Sequence, residues 1–96
     1  MNTDKIFLAS LGLGWWSDVL ADAVQRAPGV EIVTCFSRSA EKRVDFAKKY
    51  SCEAANSYEE ILANPSVHGI INTTPNNIHL ETTRLAASAG KHVFLD

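Results

Sequence analysis

Cysteine is scarce in this sequence and widely spaced: Cys35 and Cys52 form no Cys-x-x-Cys pair, and no nearby histidine completes a zinc pattern. That excludes a disulfide scaffold and reads both as reduced, buried thiols. Long apolar runs are missing too, since nothing approaches the roughly 20 residues of a membrane span. The start, Met1-Asn2-Thr3-Asp4-Lys5, is polar and carries an aspartate, and the strand-length apolar run after it ends at Gly12, which argues against a signal peptide. No membrane partner and a cytoplasmic location follow as expectations. An excess of one charge is also lacking: 9 Lys and Arg stand against 11 Asp and Glu, a formal net charge of −2. Nucleic acid is therefore no expected partner, and Glu41-Lys42-Arg43 and Lys48-Lys49 read as the solvated face of a helix.

What is present is the composition of an ordinary globular domain, 46% hydrophobic and 21% charged. At 96 residues the chain is one small domain, near the size at which roughly 60–65% of the unfolded surface can be buried. Strand-like and helix-like patterns alternate, the sign of a parallel sheet covered on both faces. Ile6 to Leu11 reads as a strand. Leu20, Ala23, Val24 and Ala27 then stripe a helix that Pro28-Gly29 stops. Val30 to Phe36 is a second strand, rich in β-branched residues, and Ser37-Arg38-Ser39 a loop and cap. Ala40, Val44 and Ala47, widened by Phe46 and Tyr50, stripe a second helix. Cys52 to Ala55 fits a short edge strand, and Ser57-Tyr58-Glu59-Glu60 is a capping box that opens a short helix. Val67 to Asn72 is the next strand. Ile78, Thr82, Leu85, Ala86 and Ala89 stripe a helix closed by Gly90, and His92 to Asp96 is a final strand. The expected fold is α/β, a doubly wound parallel sheet of about five strands joined by right-handed crossovers.

Ligands of such sheets bind at the carboxyl ends of the strands, which singles out Gly12 to Ser17, Ser37 to Ser39 and Thr73 to Asn77. Gly12-Leu13-Gly14 stands between a strand and a helix, as a dinucleotide-binding turn must. The chain reverses there within a few residues while backbone N–H groups approach a pyrophosphate, and the helix N-terminus faces the phosphates. The plain alternative is a strand-to-helix turn without a ligand.

The whole chain resembles the N-terminal half of the glucose-fructose oxidoreductase and inositol 2-dehydrogenase family (Gfo/Idh/MocA). Gly12-Leu13-Gly14-Trp15-Trp16 is similar to its cofactor turn, Thr74-Pro75-Asn76 with His79 to its loop and helix start beneath the nicotinamide, and Ala89 to Phe94 to the approach to its Glu-Lys-Pro motif. The resemblance implies a Rossmann-type domain, NADP or NAD as cofactor, and hydride transfer to or from a sugar, polyol or related hydroxyl substrate. Three departures stand out. Ser17 replaces the third glycine, crowding helix against strand but bringing a hydroxyl that could reach a phosphate. Asp18 sets a carboxylate in competition with the pyrophosphate. Asp96 aligns with the motif's glutamate, so the catalytic lysine and the C-terminal substrate domain are absent, and the chain reads as a truncated domain that can at most hold cofactor. A small-molecule substrate would bind only with the missing domain. The final strand, left as an edge, predicts self-association.

Candidate cofactor-binding residues are thus Gly12, Leu13, Gly14, Trp15, Trp16, Ser37, Arg38, Thr73, Thr74, Pro75, Asn76 and His79; no catalytic or metal-ligating residue is assigned. At the end of the second strand an NAD site presents an acid to the ribose hydroxyls, and here stand Ser37 and Arg38. Arg38 can pair with a 2′-phosphate, which leans the reading toward NADP, or is simply an exposed arginine at a helix start. Asn76 shapes the nicotinamide floor or merely caps its helix, and His79 either touches the ligand or packs. Trp15 and Trp16 stand at the cleft mouth as anchors. His68 and His92 read as structural. A second reading of the whole is a non-catalytic nucleotide-binding or interaction module on the same fold.

Overall fold

The computed structural model describes residues 5–74 and 76–95, without the side chains of Asn76, Asn77, His79 and Leu95. Five strands alternate with four helices: β1 (Ile6–Leu11), α1 (Trp15–Gln25), β2 (Val30–Phe36), α2 (Ala40–Tyr50), β3 (Glu53–Ala54), α3 (Tyr58–Ala63), β4 (Gly69–Asn72), α4 (Asn76–Ser88) and β5 (His92–Leu95). All described pairings are parallel, in the order β3-β2-β1-β4-β5. The order reverses between β1 and β4, so a crevice opens there at the carboxyl ends. The β1–β2 register slips between Leu8 and Ala9, a bulge in mid-strand.

Local chemistry sets the element ends. Ser39 caps α2, its hydroxyl accepting from the Lys42 N–H at 3.2 Å, and Ser57 caps α3 by accepting from the Glu60 N–H at 3.1 Å. Glu60 reaches back one residue further than a capping box requires and accepts from the Asn56 N–H at 3.4 Å. Gly90, at φ 79°, closes α4 with the paired bonds Gly90 N–H to Ala87 O and Lys91 N–H to Ala86 O.

Two apolar clusters cover the two faces. α1 and α2 enclose Leu8, Ala21, Ile32, Cys35, Phe46, Tyr50 and Ile71. On the other face Ala9, Leu11, Tyr58, Ile61, Val67, Ile70 and Ala86 pack beneath α3 and α4. Both helix stripes on the first face depart from the sequence pattern. α1 buries the small residues Ser17 and Ala21, which admit the helix close to the sheet, while Leu20 and Val24 are half-buried and Ala23 and Ala27 exposed. Those four instead border an open apolar groove with Ile6, Leu8, Ile71 and Phe94. In α2 the aromatic pair Phe46 and Tyr50, ring centroids 4.6 Å apart, carries the contact, and Val44 stays half exposed. The larger ring area turns the helix that way. Among the described residues no helix is long and apolar enough to cross a membrane.

Candidate functional site

A cleft of about 770 Å³ lies at the carboxyl ends of β1, β2 and β4, over the point where the strand order reverses. Its walls are the three loops expected from the strand pattern. Leu11 to Gly14 form one side, Phe36 to Ser39 with Lys42 another, and Thr73 and Thr74 with Ile78, Glu81 and Thr82 the third.

The first two strand ends are stitched by the Gly12 N–H, which donates to Phe36 O at 3.0 Å. Thr73 joins the third: its N–H donates to Leu11 O at 2.9 Å, and its hydroxyl reaches Gly12 O at 2.9 Å. Gly12 has φ +85°, and a Cβ there would meet the Thr73 carbonyl carbon and oxygen at 3.0 Å. Glycine is thus demanded twice, by conformation and by space. Gly14 is different: apart from its own chain neighbours, no described atom lies within 4 Å of where its Cβ would be. The protein itself makes no claim on that volume, which lies at the N-cap of α1, where no side chain caps the helix. An uncapped N-terminus facing open space suits an anionic group.

Two neighbours of this turn behave otherwise than the sequence suggests. The Ser17 hydroxyl is committed to Gly14 O at 2.7 Å, and the residue is buried, so it braces the turn and offers no donor to a phosphate. The Asp18 carboxylate accepts from the Tyr50 hydroxyl at 3.3 Å and lies 3.9 Å from the Lys49 ammonium. It is thereby directed toward α2. Tyr50 also donates to Asp22 at 3.2 Å, and burial together with the two carboxylates pushes its phenol well above the usual range.

At the end of β2 the charge is positive. Arg38 is exposed and borders the cleft with Lys42, and no described residue forms an ion pair with either. Arg43 anchors the loop behind them, donating to Ser37 O at 2.7 Å with its guanidinium 5.1 Å from the centre of the Phe36 ring. The Ser37 hydroxyl is held inside the loop by the N–H and carbonyl of Ser39. Glu81 is the one acid lining the cleft among the described residues. A bond from Arg84 at 2.7 Å holds its carboxyl below the usual range. Glu31 lies at the opposite end of the sheet, where it pairs with Lys5 at 3.3 Å.

Beneath the third loop is a polar network that the sequence did not signal. Fully buried Asn72 donates to the Thr82 hydroxyl at 2.7 Å and accepts from the Thr74 hydroxyl at 2.6 Å and the Thr74 N–H at 3.1 Å. Tyr58 closes it from α3, donating to Thr82 O at 2.7 Å. An asparagine at a strand end followed by two threonines was the only available hint.

Of the twelve candidate residues, Gly12, Leu13, Gly14, Ser37, Arg38, Thr73 and Thr74 converge on the cleft. Trp15 and Trp16 do not line it. They pack against each other, centroids 5.7 Å apart, with Trp15 75% exposed, because the first turn of α1 directs them outward. Asn76 and His79 fall on α4 with side chains outside the described residues; Pro75 and Asp96 lie outside them altogether. His68 accepts from the Phe7 N–H at 3.0 Å and stacks on its ring, at the far end of the sheet. No group of three or more possible metal ligands occurs among the described residues.

Residues 8–96 match the model of the oxidoreductase family with an NAD-binding Rossmann fold, GFO_IDH_MocA. The chain is 34% identical over 90 residues to 4-carboxy-2-hydroxymuconate-6-semialdehyde dehydrogenase of a Sphingobium species, covering 93% of this chain and 29% of that protein. It is 33% identical over 99 residues to the NADP(+) scyllo-inositol 2-dehydrogenase IolW of Bacillus subtilis, covering 99% of this chain and 26% of that one. A solved protein of Desulfitobacterium hafniense, whose proposed role is that of an NADPH-dependent oxidoreductase, superposes with a TM-score of 0.93 at 37% identity, over 96% of this chain and 26% of that one. The chain thus spans about a quarter of the length of the relatives it matches.

Proposed function

The chain belongs to the Gfo/Idh/MocA oxidoreductase family, and from that premise we propose that it holds a nicotinamide dinucleotide in the cleft between the Gly12 and Thr73 loops. It would serve there as the cofactor-binding portion of an enzyme that moves hydride between the nicotinamide and a sugar, polyol or related hydroxyl substrate. The observation that carries this reading is the open volume at Gly14, beside an uncapped helix N-terminus and opposite the Gly12–Thr73 contact. An uncapped helix N-terminus beside open space suits the charge of a pyrophosphate.

When bound, the nicotinamide supplies the two-electron donor or acceptor. The chain's own residues hold and orient. Gly12, Leu13 and Gly14 bring backbone to the phosphates, Ser37 and Arg38 stand on the adenosine side, and Thr73 and Thr74 on the nicotinamide side, to which the family resemblance also assigns Pro75, Asn76 and His79. Acid–base groups and the substrate pocket come from outside these residues.

NADP is the favoured cofactor. Arg38 and Lys42 sit together at the end of β2, where a 2′-phosphate would lie, and no acid stands there to accept from ribose hydroxyls. A cytoplasmic location suits the free thiols. Calorimetric titration of the chain with NADP and with NAD tests the reading: NADP binding about tenfold tighter than NAD is expected. Failure of both to bind at millimolar concentration would overturn it.

A further inference from the structure

Asn72 closes β4, a strand buried along its whole length, and is itself without exposed surface. An apolar side chain would suit such a position, and a buried carboxamide is tolerated only when its groups are paired. Here the pairing has one sense. A backbone N–H can only donate, so the bond from Thr74 N–H at 3.1 Å fixes Oδ1 toward the loop, where it also accepts from the Thr74 hydroxyl at 2.6 Å. Nδ2 is thereby turned to α4, donating to the Thr82 hydroxyl at 2.7 Å and to the Thr83 hydroxyl at 3.3 Å. The Thr82 hydroxyl gives its own proton to Ile78 O at 3.0 Å, so toward Asn72 it is the acceptor. The two threonines after β4 are thus held from opposite sides. Thr73 is tied to the glycine turn through Leu11 O and Gly12 O, whereas Thr74 is tied through Asn72 to α4. Tyr58 fixes α4 in turn by its bond to Thr82 O at 2.7 Å.

A dinucleotide laid across a reversal of strand order sets its pyrophosphate at the glycine turn and its two halves over the flanking strand ends. The charge of Arg38 and Lys42 suits the adenosine half at β2, which leaves the end of β4, with Thr74 in the cleft wall, for the other half. We propose, on the premise that the cleft holds a nicotinamide dinucleotide, that Asn72 is a positioning residue for its nicotinamide half. Asn72 is closed off from the cleft and meets no ligand itself. It sets where Thr74 stands against α4, and so the surface on which that half rests. A leucine of similar size would fill the same volume but hold neither the N–H nor the hydroxyl of Thr74. A fully paired buried network fixes one arrangement of the loop, where apolar contact alone would allow several.

Calorimetry with two probes tests this: NADP, which carries both halves, and adenosine 2′,5′-bisphosphate, which carries the adenosine half alone. Asn72→Leu should weaken NADP about tenfold and leave the bisphosphate within about twofold of the wild type. Thr74→Val removes the hydroxyl bond to Asn72 from the loop side, without a change in the core, and should weaken NADP about fivefold with the bisphosphate again unmoved. Thr74→Ser, which keeps the hydroxyl, should restore wild-type binding of both. The double variant Asn72→Leu, Thr74→Val should lose no more than Asn72→Leu alone, because both changes remove the same bond. NADP affinity unchanged in Asn72→Leu or in Thr74→Val, or an equal loss for the two probes, would overturn the assignment. A wild type that binds neither probe would overturn the premise, and the assignment with it.

Discussion

Gly12 and Gly14 look equivalent in a glycine motif, but their surroundings separate them. At Gly12 any side chain meets both a left-handed backbone and the Thr73 carbonyl at 3.0 Å. Gly12→Ala should therefore cost about 2–4 kcal/mol, visible as a large fall in melting midpoint. Gly14→Ala has an ordinary φ of −90° and an open neighbourhood, so it should fold with a loss of about 1 kcal/mol or less from the cap. Its effect should fall on dinucleotide affinity, and calorimetry beside thermal melting distinguishes the two. Arg38→Ala and Lys42→Ala should each weaken NADP about tenfold and leave NAD unchanged, since each removes one charge-assisted contact to a 2′-phosphate. Equal loss for both cofactors would assign these side chains to the pyrophosphate instead. Ser17 is the residue whose role changed most: its hydroxyl was legible in the sequence, but the 2.7 Å bond to Gly14 O was not, because a rotamer choice depends on what packs around it.

Among the elements, α3, β4 and α4 act as a unit through Tyr58, Thr82 and Asn72. Burial holds the Tyr58 phenol up to about 12. That exceeds the value near 10 of an unfolded tyrosine, so the folded state keeps the proton more tightly. The stabilisation is whole below pH ~10 and is lost as pH rises toward about 12. Chemical denaturation of Tyr58→Phe should show a loss of about 1 kcal/mol at neutral pH from the missing bond to Thr82 O, and a shallower decline above pH ~10. An alkaline decline identical to that of the wild type would exclude this tyrosine as a contributor. Caps and glycine stops were readable because they are local: Ser39, Ser57 and Gly90 act through bonds spanning three to five residues. The stripes of α1 and α2 were only partly readable. Periodicity identifies an apolar face, whereas the line of contact is set by which residues let the helix approach, Ser17 and Ala21 in one case and Phe46 and Tyr50 in the other.

For the whole molecule, the face on the α1 side beyond β1 is apolar and open. Ile6 is 48% and Phe94 52% exposed, both border the groove formed with Leu20, Ala23, Val24 and Ala27, and β5 beside it is an edge strand. An exposed apolar face next to the last strand of the described sheet would favour association of copies. Light scattering should show a concentration-dependent mass up to ~100 μM, with Phe94→Lys shifting it toward the monomer. A constant monomer mass for the wild type would exclude association through this face.

Sequence by itself determined the order of elements, the parallel doubly wound sheet and the three loops at its carboxyl ends, because alternating patterns, caps and crossover handedness leave few other arrangements. Only the tertiary structure decided that Gly12 is held against Thr73 and that Asp18 is drawn to α2. It also decided that Lys42 joins Arg38 at the cleft, and that two cysteines flanking a helix share one cluster. Each of these is a contact between residues distant in the chain, and its geometry depends on register, helix rotation and packing that no local pattern encodes.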